Sequence, residues 1–384
     1  MNNSYVVILW SALMSPYTQS AVLGQGKNIS VESITTALYQ EQLVPDEEML
    51  LLLRQAPGNK QRIIFLRGYN AFYSKDFSLL SSLSVEYKQE YGIDSYGALL
   101  SYLATDDTVS QSSTEALSAA LNGRNSHLNE FVHYQAYHAL REVDEKSAIA
   151  HLDTAILIAP GFAIAALCRS YHFDSLEDCE RIVALLGPFQ SSWQDYDLQM
   201  YIAEAYFNCN DATAAKLAYS RAVALKPCFE SWRGVADMML SLNEDLRSVE
   251  VVYQRVLSFQ DDAEVRVKLG WIYNALGHPE KARAEFVSSA LADACSGRAI
   301  YGLMHLGEWE DASILYANTR QCERADFVLM ALGVVLNHVK LHHDMRSLQE
   351  LADEYVLIYS EEPGAVDYLR VLFQEFKISA VLRK

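Results

Sequence analysis

The sequence predicts an all-α protein built as a stack of antiparallel helical hairpins. Two observations carry that prediction. One pattern is written three times in succession between Tyr196 and Leu291, and its landmarks recur every 33 to 34 residues, the length of two helices and their turns. Hydrophobic residues make up 51% of the 384-residue chain, enough to line a continuous helix-packed interior and too many for a disordered polymer.

The copies read YIAEAYFNCNDATAAKLAYSRAVALKP from Tyr201, WRGVADMMLSLNEDLRSVEVVYQRVLSF from Trp232 and VKLGWIYNALGHPEKARAEFVSSAL from Val267. Superposition aligns small residues at Ala203, Ala236 and Gly270, large ones at Tyr206, Met239 and Tyr273, and turn residues at Asn210, Asn243 and Gly277. Beyond the turn come Ala215, Val249 and Ala282, then the rings Tyr219, Tyr253 and Phe286. Small residues let helices approach, rings fill the gaps between neighbouring hairpins, and a closing proline cannot continue a helix.

This combination resembles the tetratricopeptide repeat (TPR), whose pattern is a Trp, a Leu-Gly pair, a Tyr, a turn Gly, an Ala, an aromatic, an Ala and a closing Pro. Leu269-Gly270, Tyr273, Gly277, Ala282 and Phe286 match most of it; Trp232 supplies the opening Trp of its copy, and Ala222 with Pro227 the closing pair of the first. The resemblance implies a right-handed superhelix, a TPR-like α-solenoid whose first helices line a concave face. It is firm over Asn129 to Arg320 and extends in outline back to Gln61.

Taken in order, residues 1–60 form an irregular helical amino-terminal region. Tyr5 to Met14 is apolar but lacks a positively charged leader and is too short to span a bilayer, so it reads as a buried cap of the stack or a self-association segment. Ser30 opens a weak helix start reaching Gln42, and Pro45-Asp46-Glu47-Glu48 a better one, with acids in the first turn. Residues 61–128 read as degenerate hairpins: Gly68 and Phe72, a turn at Lys75-Asp76, then Leu79, Leu80, Leu83 and Tyr87, followed by two short helices separated by the polar loop TDDTVSQSS.

Residues 129–320 form the array proper. Ala148 to Ala215 and Pro160 to Pro227 are each 67 residues, two repeat lengths, so a poor copy lies between, with helices at Ala165 to His172 and Leu176 to Leu186. Gly307, Ala312 and Tyr316 follow Gly277, Ala282 and Phe286 by 30 residues and mark a shortened unit. Residues 321–384 form a helical carboxyl-terminal cap, with helices from about Ala325 to Leu341, Met345 to Ser360 and Ala365 to Lys377.

A formal net charge of −18 makes nucleic acid and anionic membranes poor partners and a locally basic protein a better one. The six cysteines, Cys168, Cys179, Cys209, Cys228, Cys295 and Cys322, have no CxxC spacing and read as thiols in a reducing, cytoplasmic setting. No GxGxxG, GxxxxGK, HExxH or GxSxG motif occurs, so no catalytic residue, cofactor or metal is assigned. His338 and His342 share a predicted helical face, but two ligands do not make a site, and acidic pairs such as Asp261-Asp262 read as helix starts.

The expected function is therefore protein binding, as a scaffold, adaptor or assembly factor; a chaperone for secretion, transport or surface-structure proteins and a ligand-responsive regulator are the alternatives. Under the resemblance, the residue after each small one and that three further on point into the groove. These include Tyr137, Glu204 and Phe207, Asp237, Trp271 and Asn274, and Tyr301 with Met304, while Met200, Arg233 and Val267 lie one turn earlier on the same faces. Such a surface suits a peptide with apolar anchors and positive charge. It does not suit a free carboxylate, because Lys and Asn are missing from the clamp positions.

Overall fold

The computed structural model describes residues 29–105, 111–174, 177–295, 297–319, 327–340, 345–359, 362 and 364–378. The apolar run from Tyr5 to Met14, residues 106–110 of the polar loop, Cys322 and the His338/His342 side chains lie outside the described residues. All regular structure among those described is helical, and the chain divides into two compact units, Met1–Cys209 and Asn210–Lys384.

The first unit holds α1 (Val31–Tyr39), α2 (Asp46–Gln55), α3 (Lys60–Tyr73), α4 (Phe77–Tyr91), α5 (Ser95–Leu103), α6 (Gln111–Asn122), α7 (Glu130–Leu140), α8 (Glu145–Ile158), α9 (Ala163–Ser170), α10 (Cys179–Leu186) and α11 (Tyr196–Asn208). The second holds α12 (Ala212–Leu225), α13 (Phe229–Ser241), α14 (Leu246–Leu257), α15 (Ala263–Ala275), α16 (Pro279–Ala292), α17 (Gly297–Leu306), α18 (Trp309–Asn318), α19 (Phe327–Lys340), α20 (Met345–Tyr359) and α21 (Ala365–Glu375). Within each unit successive helices pack on one another, from α2 to α11 in the first and from α12 to α21 in the second, and alternate helices pack as well: α1 on α3, α3 on α5, α5 on α7, α15 on α17, α16 on α18 and α17 on α19. That pattern, neighbour plus next-but-one, is the signature of stacked hairpins. The fold is an all-α solenoid.

The hairpin turns follow one local rule. Lys75, Asn210, Asn243, Gly277 and Gly307 all adopt left-handed φ, between +52° and +83°, which reverses the chain after a helix. Asp76, Asp211 and Asp245 then cap the next helix, accepting from the backbone N–H of Leu79, Ala214 and Ser248. Helix starts elsewhere use the same device at Asp94, Asn129, Asp195 and Asp262, so the acidic pair at Asp261-Asp262 is accounted for by capping together with the Asp261–Arg266 ion pair. Ser30 is a stronger start than its sequence suggests, because it and Ser33 form a reciprocal capping box. The polar loop is shorter than expected, since α6 already begins at Gln111.

Rings seated on glycines hold the second unit in register. Phe286 is fully buried between α15 and α17, and a Cβ added at Gly270 or Gly302 would lie 2.6 Å from its ring. Tyr219 occupies the space over Gly234, and Tyr316 that over Gly333, in the same way. In the first unit the rings cluster instead: Phe131 packs against Tyr69 (4.3 Å between centroids), Phe162 (5.3 Å) and Tyr39 (5.5 Å). Arg62 lies over Phe65, Tyr96 and Phe131 and donates to the buried Glu130 carboxylate at 2.7 Å, which also accepts from Tyr39 Oη at 2.8 Å.

The cysteine expectation is corrected. Cys179 and Cys209 form a disulfide with Cα atoms 5.7 Å apart, and Cys295 is also disulfide-bonded. The pairing follows from antiparallel packing of α10 on α11, which brings the first residue of one helix to the last turn of the other. A separation of 30 residues across a degenerate repeat hides that adjacency from any spacing rule. Cys168, buried, and Cys228, half-buried, are the described cysteines outside a disulfide.

Candidate partner-binding faces

On the first unit the expected groove residues divide sharply by exposure. Tyr137 is buried on α7, with its hydroxyl 3.2 Å from His172 Nε2, while His172 Nδ1 lies 3.2 Å from a Glu145 carboxylate oxygen. That chain of contacts ties α7 to the start of α8 and the end of α9, a structural task. Met200 is half-buried on α11. One turn further, Glu204 and Phe207 stand exposed on that helix, Phe207 with 51% of its surface open. Glu204 makes no ion pair with any described residue, and the low-dielectric surroundings push its carboxyl above the ordinary value.

On the second unit the expected residues are wired together. Arg233 on α13 donates to Glu264 on α15 at 2.6 Å, and Lys268 on α15 returns the contact to Asp237 on α13 at 2.8 Å. Tyr253 Oη donates to the same Asp237 oxygen, and Arg298 adds a longer 3.6 Å contact to Glu264. A charge ladder of this kind fixes neighbouring repeats, and each member keeps only part of its surface for a partner. Trp271 stacks edge-on against Phe286 at 5.2 Å and lies 5.8 Å from the Tyr301 ring and 5.3 Å from that of His305. Tyr301 Oη donates to Glu375 at 2.6 Å and its ring meets Phe376, so the end of α21 covers this part of the face. Asn274 is half-buried one turn beyond Trp271, whereas Val267 and Met304, 5% and 1% exposed, pack inside.

Sequence reading missed a histidine contact. His133 on α7 and His151 on α8 approach Nδ1 to Nδ1 at 2.9 Å, so one must donate to the other and both cannot be charged. Burial first, then the charge of His151, pushes His133 down to about 4, and burial pushes His138 down to about 3. A histidine whose folded pKa is depressed favours the folded state above its unfolded value of about 6.5 and loses that contribution as pH falls towards the folded value. Thermal unfolding should therefore show a decline in melting temperature from pH 6.5 to 4, with a shallower decline in His133→Gln; identical slopes would contradict the assignment.

Among the described residues, no group of three metal-ligating side chains converges, and no helix is long and apolar enough to cross a membrane. No protein-family model matches the sequence, and no curated protein matches it. Among solved structures, the chain is similar to YrrB, described as a TPR protein with an unusual peptide-binding site, at 12% identity and a TM-score of 0.35, over 48% of this chain and 96% of that one. It is also similar to a chain of the Cut9–Hcn1 hetero-tetramer of the APC/C, at 10% identity and a TM-score of 0.37, over 83% of this chain and 70% of that one. At such scores the solenoid assignment rests on this chain's own turns, rings and helix packing.

Proposed function

We propose that this protein is a non-catalytic interaction scaffold or adaptor that binds a segment of another protein on the first-helix faces of its repeats. The observation that carries this reading is the α11 surface. An exposed Phe207 and a desolvated Glu204, without an ion pair among the described residues, sit one turn apart on a helix that buries Leu198, Gln199, Ile202, Ala203 and Ala205. An apolar anchor beside an uncompensated acid suits a peptide that offers an apolar side chain and a positive charge. Arg233, Asp237, Trp271 and Tyr301 are secondary contacts, since each already serves a neighbour.

Affinity purification of the full chain from its native cell, followed by mass spectrometry, tests the class of function. A scaffold gives a stoichiometric protein that survives washing; recovery of the chain alone at every salt concentration contradicts the reading. The Phe207→Ala variant is expected to keep the wild-type melting temperature within about 1 °C, because a truncation at an exposed site removes little packing.

A further inference from the structure

We infer that a carboxylate cage on the first unit, centred on Glu41, binds a cationic side chain, lysine or arginine, of the partner; this rests on the protein-binding reading above. Glu41 lies in the turn between α1 and α2, outside every repeat landmark. Its Oε1 accepts from Tyr73 Oη on α3 and from Tyr134 Oη on α7, each at 3.2 Å. Tyr69 Oη extends the array to Tyr73 at 3.5 Å and itself accepts from Gln135 Nε2 at 3.0 Å. Cys168 Sγ on α9 stands 3.9 Å from Tyr134 Oη, and the His138 ring meets Tyr134 edge-on at 4.6 Å. Thus the α1–α2 turn and three first helices converge on one carboxylate.

Three features distinguish this carboxylate from a solvated surface acid. Glu41 is an exposed residue whose carboxylate is nonetheless held against the Tyr73 and Tyr134 hydroxyls, and desolvation there pushes its pKa up. Both tyrosine hydroxyls go to one oxygen, and no donor among the described residues reaches Oε2. Its charge is uncompensated: no described Lys or Arg pairs with it, and the charge it does feel is that of Asp195, another acid raised by burial. Arg141 is the cation felt by the cluster, and it acts on Cys168 and His138 rather than on Glu41. In addition, Glu41 sits at φ +53°, where glycine or asparagine would be easier to accommodate, so the position carries a carboxylate against local backbone preference.

A cation completes this arrangement. An ammonium or guanidinium group donates to the second oxygen, removes the unfavourable interaction between the two acids and lies against tyrosine faces, which attract positive charge. A neutral polar group of the same length gains only the hydrogen bond, and an anion is repelled.

The probe that tests this is Nα-acetyl-lysinamide, with its Nε-acetylated form as the uncharged control, titrated into the full chain while tyrosine ring signals are followed by NMR. Saturable binding by the charged form is expected, at least fivefold weaker for the acetylated form and at least fivefold weaker for Glu41→Gln. Equal binding of the two probes, equal binding by Glu41→Gln, or shifts that never saturate would overturn the cage. Tyr73→Phe, which removes one hydroxyl donor and keeps the ring, provides a second variant if Glu41→Gln unfolds, and its affinity should also change. Because the probe is a small molecule, the cage can fail while a protein partner is still recovered, and it can hold when none is.

Discussion

Replacing Phe286 with Ala should lower the stability of the second unit by about 3–5 kcal/mol, near the upper end for a buried aromatic. The reason lies in what surrounds the ring. Phe286 is fully buried between Gly270 and Gly302, two positions with no side chains that can move in to fill the vacated space. The cavity stays, and both helix contacts made by α16 weaken together. Urea unfolding followed by helical circular dichroism measures the effect. A loss below about 1 kcal/mol would mean that the stack closes over the gap and that ring-on-glycine packing is not what holds the register. The reverse change, Gly270→Ala, tests the same contact from the other side, since its Cβ would lie 2.6 Å from the ring and must displace it.

The largest electrostatic effect is expected at Arg62. Its guanidinium neutralises Glu130, which is only 3% exposed, and covers three rings of the first unit's aromatic cluster. Arg62→Met keeps most of the side-chain volume but leaves a buried carboxylate with the Tyr39 hydroxyl alone, a loss of about 3–5 kcal/mol. Adding Glu130→Gln should recover a large part of it, because the cost comes from the stranded charge rather than from the missing ion pair. If the double variant is no more stable than the single one, the interaction is packing against the rings and the electrostatic account is wrong.

Much of this architecture was legible because repetition makes a weak local signal strong. The positions of Asn210, Asn243 and Gly277 and the rings Tyr219 and Phe286 follow from spacing, the turn at Lys75-Asp76 from the outline of a degenerate hairpin, and the structure places left-handed turns and inter-helix rings there. Superposition picks out Ala236, although Gly234 is the residue that accommodates Tyr219, since it finds the common position and not the exception. What stayed hidden depends on contacts between different repeats. Arg62 and Glu130 are 68 residues apart, Tyr134 and Glu41 are 93 apart, and Cys179 and Cys209 meet only because α10 and α11 run antiparallel. Degenerate repeats offer no register from which such pairs could be deduced. The groove-lining expectation follows from a geometric rule that says which way a side chain points, not whether a neighbour has already taken it. Asp237, held by Tyr253 and Lys268, and Glu204, with no ion-pairing partner among the described residues, satisfy that rule equally.

The central claim is that partner recognition runs through exposed first-helix residues that the fold itself does not need. It is tested most directly by titrating the partner recovered from the native cell against the wild-type chain and against Phe207→Ala/Glu204→Gln, with melting temperatures measured on the same samples. The predicted result is affinity at least tenfold lower in the double variant, about 1.4 kcal/mol or more, at an unchanged melting temperature. Unchanged affinity would contradict the account and place recognition elsewhere on the solenoid.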